Sequence, residues 1–325
     1  MVQHEDSSRM NAAISPSARD AISHLAASDE SLLNARLTEL SGLNQAEMKL
    51  LAYTWSAIDS ERRRQIVHRL VDLAEDNIEF NFDSIFRFCL KDPDDQVRAT
   101  AIEGFWENEE TSLIEPLISL LQKDPSPKVQ AAAAVALGKY AVLAEHNKLR
   151  PAYKARLAQV LLAAIADKDK PVEVRRRALE AAAAFSLPEI RLAIEEAYQS
   201  SDPKLKVSSV FAMGRSLDSA WLPDLLNELS SPDAELRYEA CGACGELEEA
   251  TSVPGLAKLT EDSDADVRIA AIQALGKIGT SQAKACLKKC RASNNESVRQ
   301  AAEQAMSELS TREDPLSLRL ERRDG

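Results

Sequence analysis

The chain has 325 residues with 52 acidic against 40 basic side chains, a formal net charge of −12. That excess of acid repels a phosphate backbone and argues against a nucleic-acid-binding protein. Hydrophobic residues make up 45% of the chain, yet aromatics are only 5% and there are just 10 glycines, a composition that favours helix over sheet.

Residues 1–30 are rich in Ser, Ala, Asp and Glu and are expected to be mostly disordered, with one weak helical stretch near Ser17–Ala27. Met1–Met10 is polar and lacks the apolar segment of a secretory leader. Residues 31–77 read as a divergent helical N-terminal cap. Within it, Asn44–Ile58 and Asp59–Glu75 form a helix pair whose Trp55, Ile66, Leu70 and Leu73 cover the first repeat. Arg62, Arg63 and Arg64 read as a solvated helix face.

From residue 78 to 310 a short phrase recurs: acid-Pro-x-x-x-Val-Arg-x-x-Ala. Its anchor aliphatics are Val97, Val129, Val174, Val207, Leu236, Val267 and Val298, spaced by 32, 45, 33, 29, 31 and 31 residues. Turn formers precede each anchor, as in Asp92-Pro93, Asp124-Pro125, Asp202-Pro203 and Ser231-Pro232. Pro ends the preceding helix, and Asp or Ser bonds the free N–H groups of the next. Four residues after each anchor comes a residue on the same helix face: Ala101, Ala133, Ala178, Phe211, Ala240, Ala271 or Ala302. Gly138, Gly245 and Gly276 stand nine after their anchors, where they can help end the helix. Apolar stripes at Leu113–Leu121, Leu157–Ile165, Leu222–Leu229 and Val253–Leu259 mark a preceding helix in each unit. The phrase thus defines seven helix–turn–helix units, none able to bury its stripe alone, so the units stack. The spacing of 45 places an insertion near 140–156, with Pro151 suited to a helix start, and predicts two lengthened helices joined by a corner. Residues 311–325 are charged, carry Pro315 and are expected to leave the stack as a flexible tail.

The phrase as it stands at 92–101, and with Ser for Pro at 262–271, resembles HEAT repeats, in particular the short bacterial type also seen in phycobilisome-lyase-like proteins. The resemblance covers roughly Phe82 to Leu309. It implies an all-α, right-handed α-solenoid. It also implies a non-enzymatic protein-binding scaffold or adaptor that uses the concave second-helix surface. The alternative by family analogy is a lyase-like or chaperone subunit acting on a client protein, including one that bears a chromophore. A nucleic-acid-binding solenoid is a further alternative, disfavoured by the charge.

No residue set points to catalysis, a cofactor or a metal. Cys241-x-x-Cys244 with Cys286 and Cys290 imitates a four-Cys zinc spacing. However, Cys244 stands where sister repeats carry Leu137 and Leu275, and Cys290 stands where they carry Leu121 and Leu259, so core packing is expected. The four histidines, His4, His24, His68 and His146, do not recur with the repeat. HEAT-like di-iron hydroxylases use repeated His-Glu pairs, and only His4-Glu5 occurs here. Five cysteines without a leader suggest the cytoplasm. No stretch approaches about 18 uninterrupted apolar residues, so no membrane helix is predicted. The recurring Arg after the anchor (Arg98, Arg175, Arg237, Arg268, Arg299) is expected to pair with turn acids as a structural ladder.

A protein partner would meet positions two and six after the anchors, which point away from the anchor–Ala face. Read down the stack, Met213, Tyr238 and Ile269 are apolar there, with Gln273, Arg176 and Glu180 beside them. Trp106 replaces the usual small residue nine after its anchor. These seven residues are the candidate partner-binding set.

Overall fold

The structure is a computed structural model that describes residues 14–27 and 32–313. Among these residues the chain forms eighteen α-helices and no strand. It divides into two compact units, residues 1–140 and 141–325.

The first unit holds α1 (Pro16–Leu25), α2 (Asn34–Leu37), α3 (Gln45–Trp55), α4 (Ser60–Asp76), α5 (Asp83–Cys89), α6 (Asp95–Glu103), α7 (Ile114–Lys123) and most of α8 (Pro127–Glu145). The helical stretch read near Ser17–Ala27 is the ordered α1, which buries Ala18, Ala21, Ile22 and Leu25. The reason is polar as well as apolar. Ser15 donates from both its backbone N and its Oγ to Glu47 Oε1, at 3.0 and 2.9 Å. The other oxygen of Glu47 accepts from Asn44 N at 2.9 Å and closes a capping box at the start of α3. His4 and Glu5 lie outside the described residues.

Helices α3 and α4 are the divergent pair, and Trp55, Ile66, Leu70 and Leu73 are all buried. Of Arg62, Arg63 and Arg64, read as a solvated face, only Arg64 is exposed. Arg62 is buried, its Nε and Nη2 donating to Leu25 O and Ala27 O. Arg63 reaches Asp92 at 3.2 Å, and Arg64 grips Asp94 at 2.7 Å. Trp55 Nε1 also donates to Asp92 Oδ2, at 2.7 Å. The cluster thus ties the cap to the first repeat turn, a use that a count of charges could not reveal.

The second unit holds the end of α8 and then α9 (Pro151–Ala166), α10 (Val172–Ala182), α11 (Pro188–Tyr198), α12 (Pro203–Arg215), α13 (Leu222–Glu228), α14 (Ala234–Leu247), α15 (Val253–Leu259), α16 (Ala265–Ile278), α17 (Ser281–Arg291) and α18 (Glu296–Glu313). The insertion lengthens α8 and α9 to 19 and 16 residues. The turn between them passes through Asn147, whose φ of 59° is left-handed. Residues 311–313, assigned to the tail from sequence, continue α18: Arg312 reaches Glu248 Oε1 at 3.0 Å and Gly276 O at 3.2 Å.

Six of the seven anchors stand as read and are buried. The fourth is misplaced. On α12 the N-cap is Asp202, whose side chain accepts from the N of Lys204 and of Leu205. Elsewhere the anchor stands three residues after its N-cap, as in Asp233–Leu236 and Asp264–Val267. The same rule makes Leu205, not Val207, the anchor. From Val174 onward the anchors are then evenly spaced by 31 residues. The +4 slot falls on Ser209, fully buried with its Oγ donating to Lys206 O at 2.6 Å, while Phe211 turns outward.

The corrected register explains the glycines. Gly214, Gly245 and Gly276 each stand nine after an anchor, and all three lie in the last turn of their helices without the left-handed backbone of a helix end. Helix α14 ends instead at Glu248 and α16 at Gly279, both left-handed. A Cβ on Gly214 would lie 2.5 Å from Ala243 Cα, one on Gly245 3.0 Å from Ala274 Cα, and one on Gly276 2.8 Å from Ala305 Cβ. Each glycine therefore admits the next second helix to backbone contact, and α12, α14, α16 and α18 pack in succession.

The Arg ladder exists, in two parts. The guanidinium of Arg98 holds Asp124 through two bonds of 2.8 Å, and that of Arg237 holds Asp262 at 2.8 and 2.9 Å. Their remaining Nη1 donates to carbonyls of the preceding turn: Asp92 O and Pro93 O, or Ser231 O and Pro232 O. Arg268 makes only carbonyl bonds of this kind, to Asp262 O and Ser263 O, while Arg299 bonds Ser293 O and also pairs with Glu296 of its own helix. Arg175 reaches Ile165 O instead. In the fourth repeat Lys206 fills the slot and pairs with Glu228 at 2.9 Å.

Cys89, Cys241, Cys244 and Cys290 are buried and Cys286 is partly so. Burial pushes the thiols of Cys241 and Cys244 up, the latter to about 11, so they remain protonated as small core groups.

The close contact gives a paired test by urea unfolding. Gly214→Ala meets backbone and should lose on the order of 1–3 kcal/mol. Gly242→Ala, on the neighbouring helix with nothing within 4 Å of the added Cβ, should be neutral or gain about 0.5–1 kcal/mol from helix propensity. Equal effects at the two sites would contradict the packing.

Candidate partner-binding groove

The 31-residue register determines which side chains reach the exposed face of the second helices. With Leu205 as anchor, position two carries Val207, Tyr238 and Ile269, and position six carries Phe211, Gly242 and Gln273. Met213, singled out from sequence, is fully buried because it stands at position eight, the slot of Cys244 and Leu275. Phe211 takes the place expected of it, 39% exposed, and Tyr238 is 44% exposed. Ile269 is half-buried and Gln273 exposed. Phe211 could have been found from sequence: Gly214 falls in line with Gly245 and Gly276 only if the anchor is Leu205.

These residues line two adjoining clefts between α12, α14 and α16. One, of about 410 Å³, runs from Phe211 and Tyr238 past Gly242 to Arg215, Glu246 and Lys277. The other, of about 600 Å³, is bounded by Tyr238 and Ile269 and by Glu235, Glu239, Asp264 and Asp266. Tyr238, Glu239, Ala270 and Gln273 belong to both, so the clefts form one groove. Its floor is open where Gly242 has no side chain. At one end Lys277 pairs with Glu246 at 2.5 Å. At the other, four carboxylates stand with no Lys or Arg among the lining residues.

Glu239 is the perturbed group. Burial pushes its carboxyl up to about 7, with Glu180 and Glu235 adding to the rise and Arg177 opposing it. The sequence-nominated Arg176 and Glu180 do not line the groove. Arg176 pairs with Glu173 at 2.6 Å and with Glu180 at 3.3 Å, and Glu180 also accepts from Ser208 Oγ at 2.5 Å. They form a network of α10 with Ser208 of α12, and α10 acts on the groove through the charges of Glu180 and Arg177 at Glu239. Trp106 is 49% exposed but belongs to the first unit.

Among the described residues no three His, Cys, Asp or Glu side chains gather as metal ligands. His24 is buried, and His68 stands on the surface 3.9 Å from Asp72. No described helix is long and apolar enough to cross a membrane.

No curated protein sequence matches the chain. Several solved structures are similar to the chain. Yeast importin-β (Kap95p) is 12% identical over 90% of this chain and 46% of its own, with a TM-score of 0.52. The Escherichia coli YibA protein is 16% identical over 78% of this chain and 98% of its own, TM-score 0.42. Human deoxyhypusine hydroxylase is 17% identical over 90% and 95%, TM-score 0.34. The family profile for HEAT repeats matches residues 84–164 and 222–307, just over half of the chain. The unmatched stretch between them holds the repeats that lack the full phrase, and their helices continue the same pattern of buried anchors. With the repeat phrase, the stacked helix pairs and this match in hand, the chain belongs to the HEAT-repeat family.

Proposed function

We propose that the protein is a non-enzymatic scaffold or adaptor that holds a protein segment in the groove of its second unit. The observation that carries this reading is the row of Phe211, Tyr238 and Ile269 on three consecutive second helices. Phe211 and Tyr238 are exposed although each could have been a small or polar residue without disturbing the core. Exposed aromatics grouped with an aliphatic residue mark a contact surface, since few, clustered, aromatic-rich positions dominate binding. The groove is elongated and open, a shape suited to a peptide or helix more than to a small molecule.

The test is capture of the main cellular partner. Phe211→Ala with Tyr238→Ala should abolish capture while the helical circular-dichroism signal and the unfolding midpoint stay near wild type. A double variant that is folded and captures normally would remove the reading.

Glu239 supplies a second test. In the folded state its carboxyl titrates near 7 rather than about 4.5, so between those values folding retains a proton that the unfolded chain has lost. Stability therefore falls as pH rises through that window, and the penalty is complete above it. Glu239→Gln should be more stable than wild type at about pH 8 and indistinguishable from it at about pH 4. Urea unfolding at the two values reads this directly, and a pH-independent difference would contradict it. A costly carboxylate kept in the groove fits a site selected for binding rather than stability.

A further inference from the structure

Helix α1 lies outside the repeat, and two charged side chains clasp its ends. The first turn is held by Glu47 of α3, which is 6% exposed. One oxygen of that carboxylate accepts from both the backbone N–H and the hydroxyl of Ser15, at 3.0 and 2.9 Å. The last turn is held by Arg62 of α4, which donates to Leu25 O and Ala27 O. Each charge suits the end it holds, the carboxylate at the positive start of the helix and the guanidinium at its negative end. Between the clasps α1 buries Ala18, Ala21, Ile22 and Leu25, and it packs on α2, the Thr38–Leu40 turn and α3.

Ser15 is exposed although its hydroxyl is bonded to this buried carboxylate. Pro16 follows it and favours extended backbone, which Ser15 adopts at φ −64° and ψ 146°. An exposed hydroxyl on extended backbone is open to a modifying enzyme. A phosphoryl group there would replace the proton on which the clasp depends. It would also set about −1.5 to −2 charges beside a carboxylate of the same sign. The start of a helix welcomes anionic charge, but that gain is small against like charges this close in a poorly solvated place. The phosphate cannot move far, since the N–H of the same residue is bonded to the same oxygen. Ser126 also precedes a proline and donates to an acid, Asp95 Oδ2, at 2.7 Å. Its helix, α8, is part of the stack and buries Val129, Ala133, Leu137 and Tyr140, so it cannot leave without opening the core.

We propose that Ser15 is a phosphorylation site and that its phosphorylation releases α1 from the cap. A serine kinase transfers the γ-phosphoryl group of a nucleoside triphosphate to Oγ. The Oγ–P bond forms, the bond from that phosphorus to the nucleoside diphosphate oxygen breaks, and the hydroxyl proton is released. Release uncovers Ala18, Ala21, Ile22 and Leu25 together with the surface they cover. That surface belongs to the first unit, so the proposal does not depend on the groove.

The experiment compares the full chain carrying phosphoserine at position 15 with the unmodified chain, by hydrogen exchange read with mass spectrometry. A helix of 10 residues is marginal in water by itself, so release shows as exchange. Amides of residues 18–25 should exchange about a hundredfold or more faster, while those of α12, α14 and α16 keep their protection. Ser15→Ala loses the hydroxyl bond without gaining charge and should stay within about tenfold of wild type. In a Glu47→Gln background the phosphate should make little difference, because the repelling charge is gone. Mass spectrometry of the protein from its own cells should find a phosphoryl group on Ser15. A protected α1 in the phosphorylated chain, equal acceleration with Glu47→Gln, or release as complete in Ser15→Ala would each overturn the proposal. So would loss of protection throughout the chain, or the lack of phosphate on Ser15 under every growth condition sampled.

Discussion

The close approach of successive second helices at a glycine decides the rest of the second unit. Gly214, Gly245 and Gly276 face Ala243, Ala274 and Ala305, and one more carbon would collide at the first and third contacts and crowd the second. Interiors pack to the density of organic crystals, so a contact this tight fixes the rotation and height of each helix against the next. With rotation fixed, positions two and six of every second helix fall on one face. That is how Phe211, Tyr238 and Ile269, about thirty residues apart in sequence, come to line one groove.

Polar contacts hold the turns while the glycines hold the helices. Asp262 shows the economy: its carboxylate takes both arms of Arg237 and its carbonyl accepts from Arg268. The Arg237 hydrogen bonds hold the Asp262 carboxyl below the usual range. Few of the recurring charges are thus left for solvent or ligands, and the carboxylates at the end of the groove stand out against this background. They are concentrated where the helices begin, and Glu239 among them is held in a partly desolvated position. Asp264 among them caps the start of α16, while the burial of Glu239 weakens the folded state.

Much of the architecture is legible in the residues. The turn acids, the Pro that stops each helix and the buried aliphatic anchors all recur in register, and six of seven anchors stand where the phrase puts them. The seventh fails because α12 carries Leu205 and Val207 two apart, and Val resembles the sister anchors more than Leu does. The signal that settles the choice is Gly214 in line with Gly245 and Gly276, but in sequence such glycines look like helix ends. That one ambiguity puts Met213 on the surface and Phe211 in the core, the reverse of their true places. The arginines of α4 are opaque for a different reason. Their partners lie about thirty residues or more away, Asp92 and Asp94 in the first repeat turn and the carbonyls of Leu25 and Ala27 beside α1, where the repeat phrase is absent. The groove acids are individually visible in the sequence but become a cluster only when α14 and α16 are set side by side.

The central claim is that the glycine contact sets the register on which the groove is built, and a double-mutant cycle between Gly214 and Ala243 tests it most directly. Gly214→Ala and Ala243→Gly are each expected to destabilise, the first by collision and the second by loss of helix propensity. The pair should recover a small part of the loss, with a coupling of about 0.5–1 kcal/mol, because removing the Ala243 methyl relieves the contact at 2.7 Å and leaves the one to Cα at 2.5 Å. Strict additivity would mean that the two residues do not meet, and the register, with the groove built on it, would be wrong.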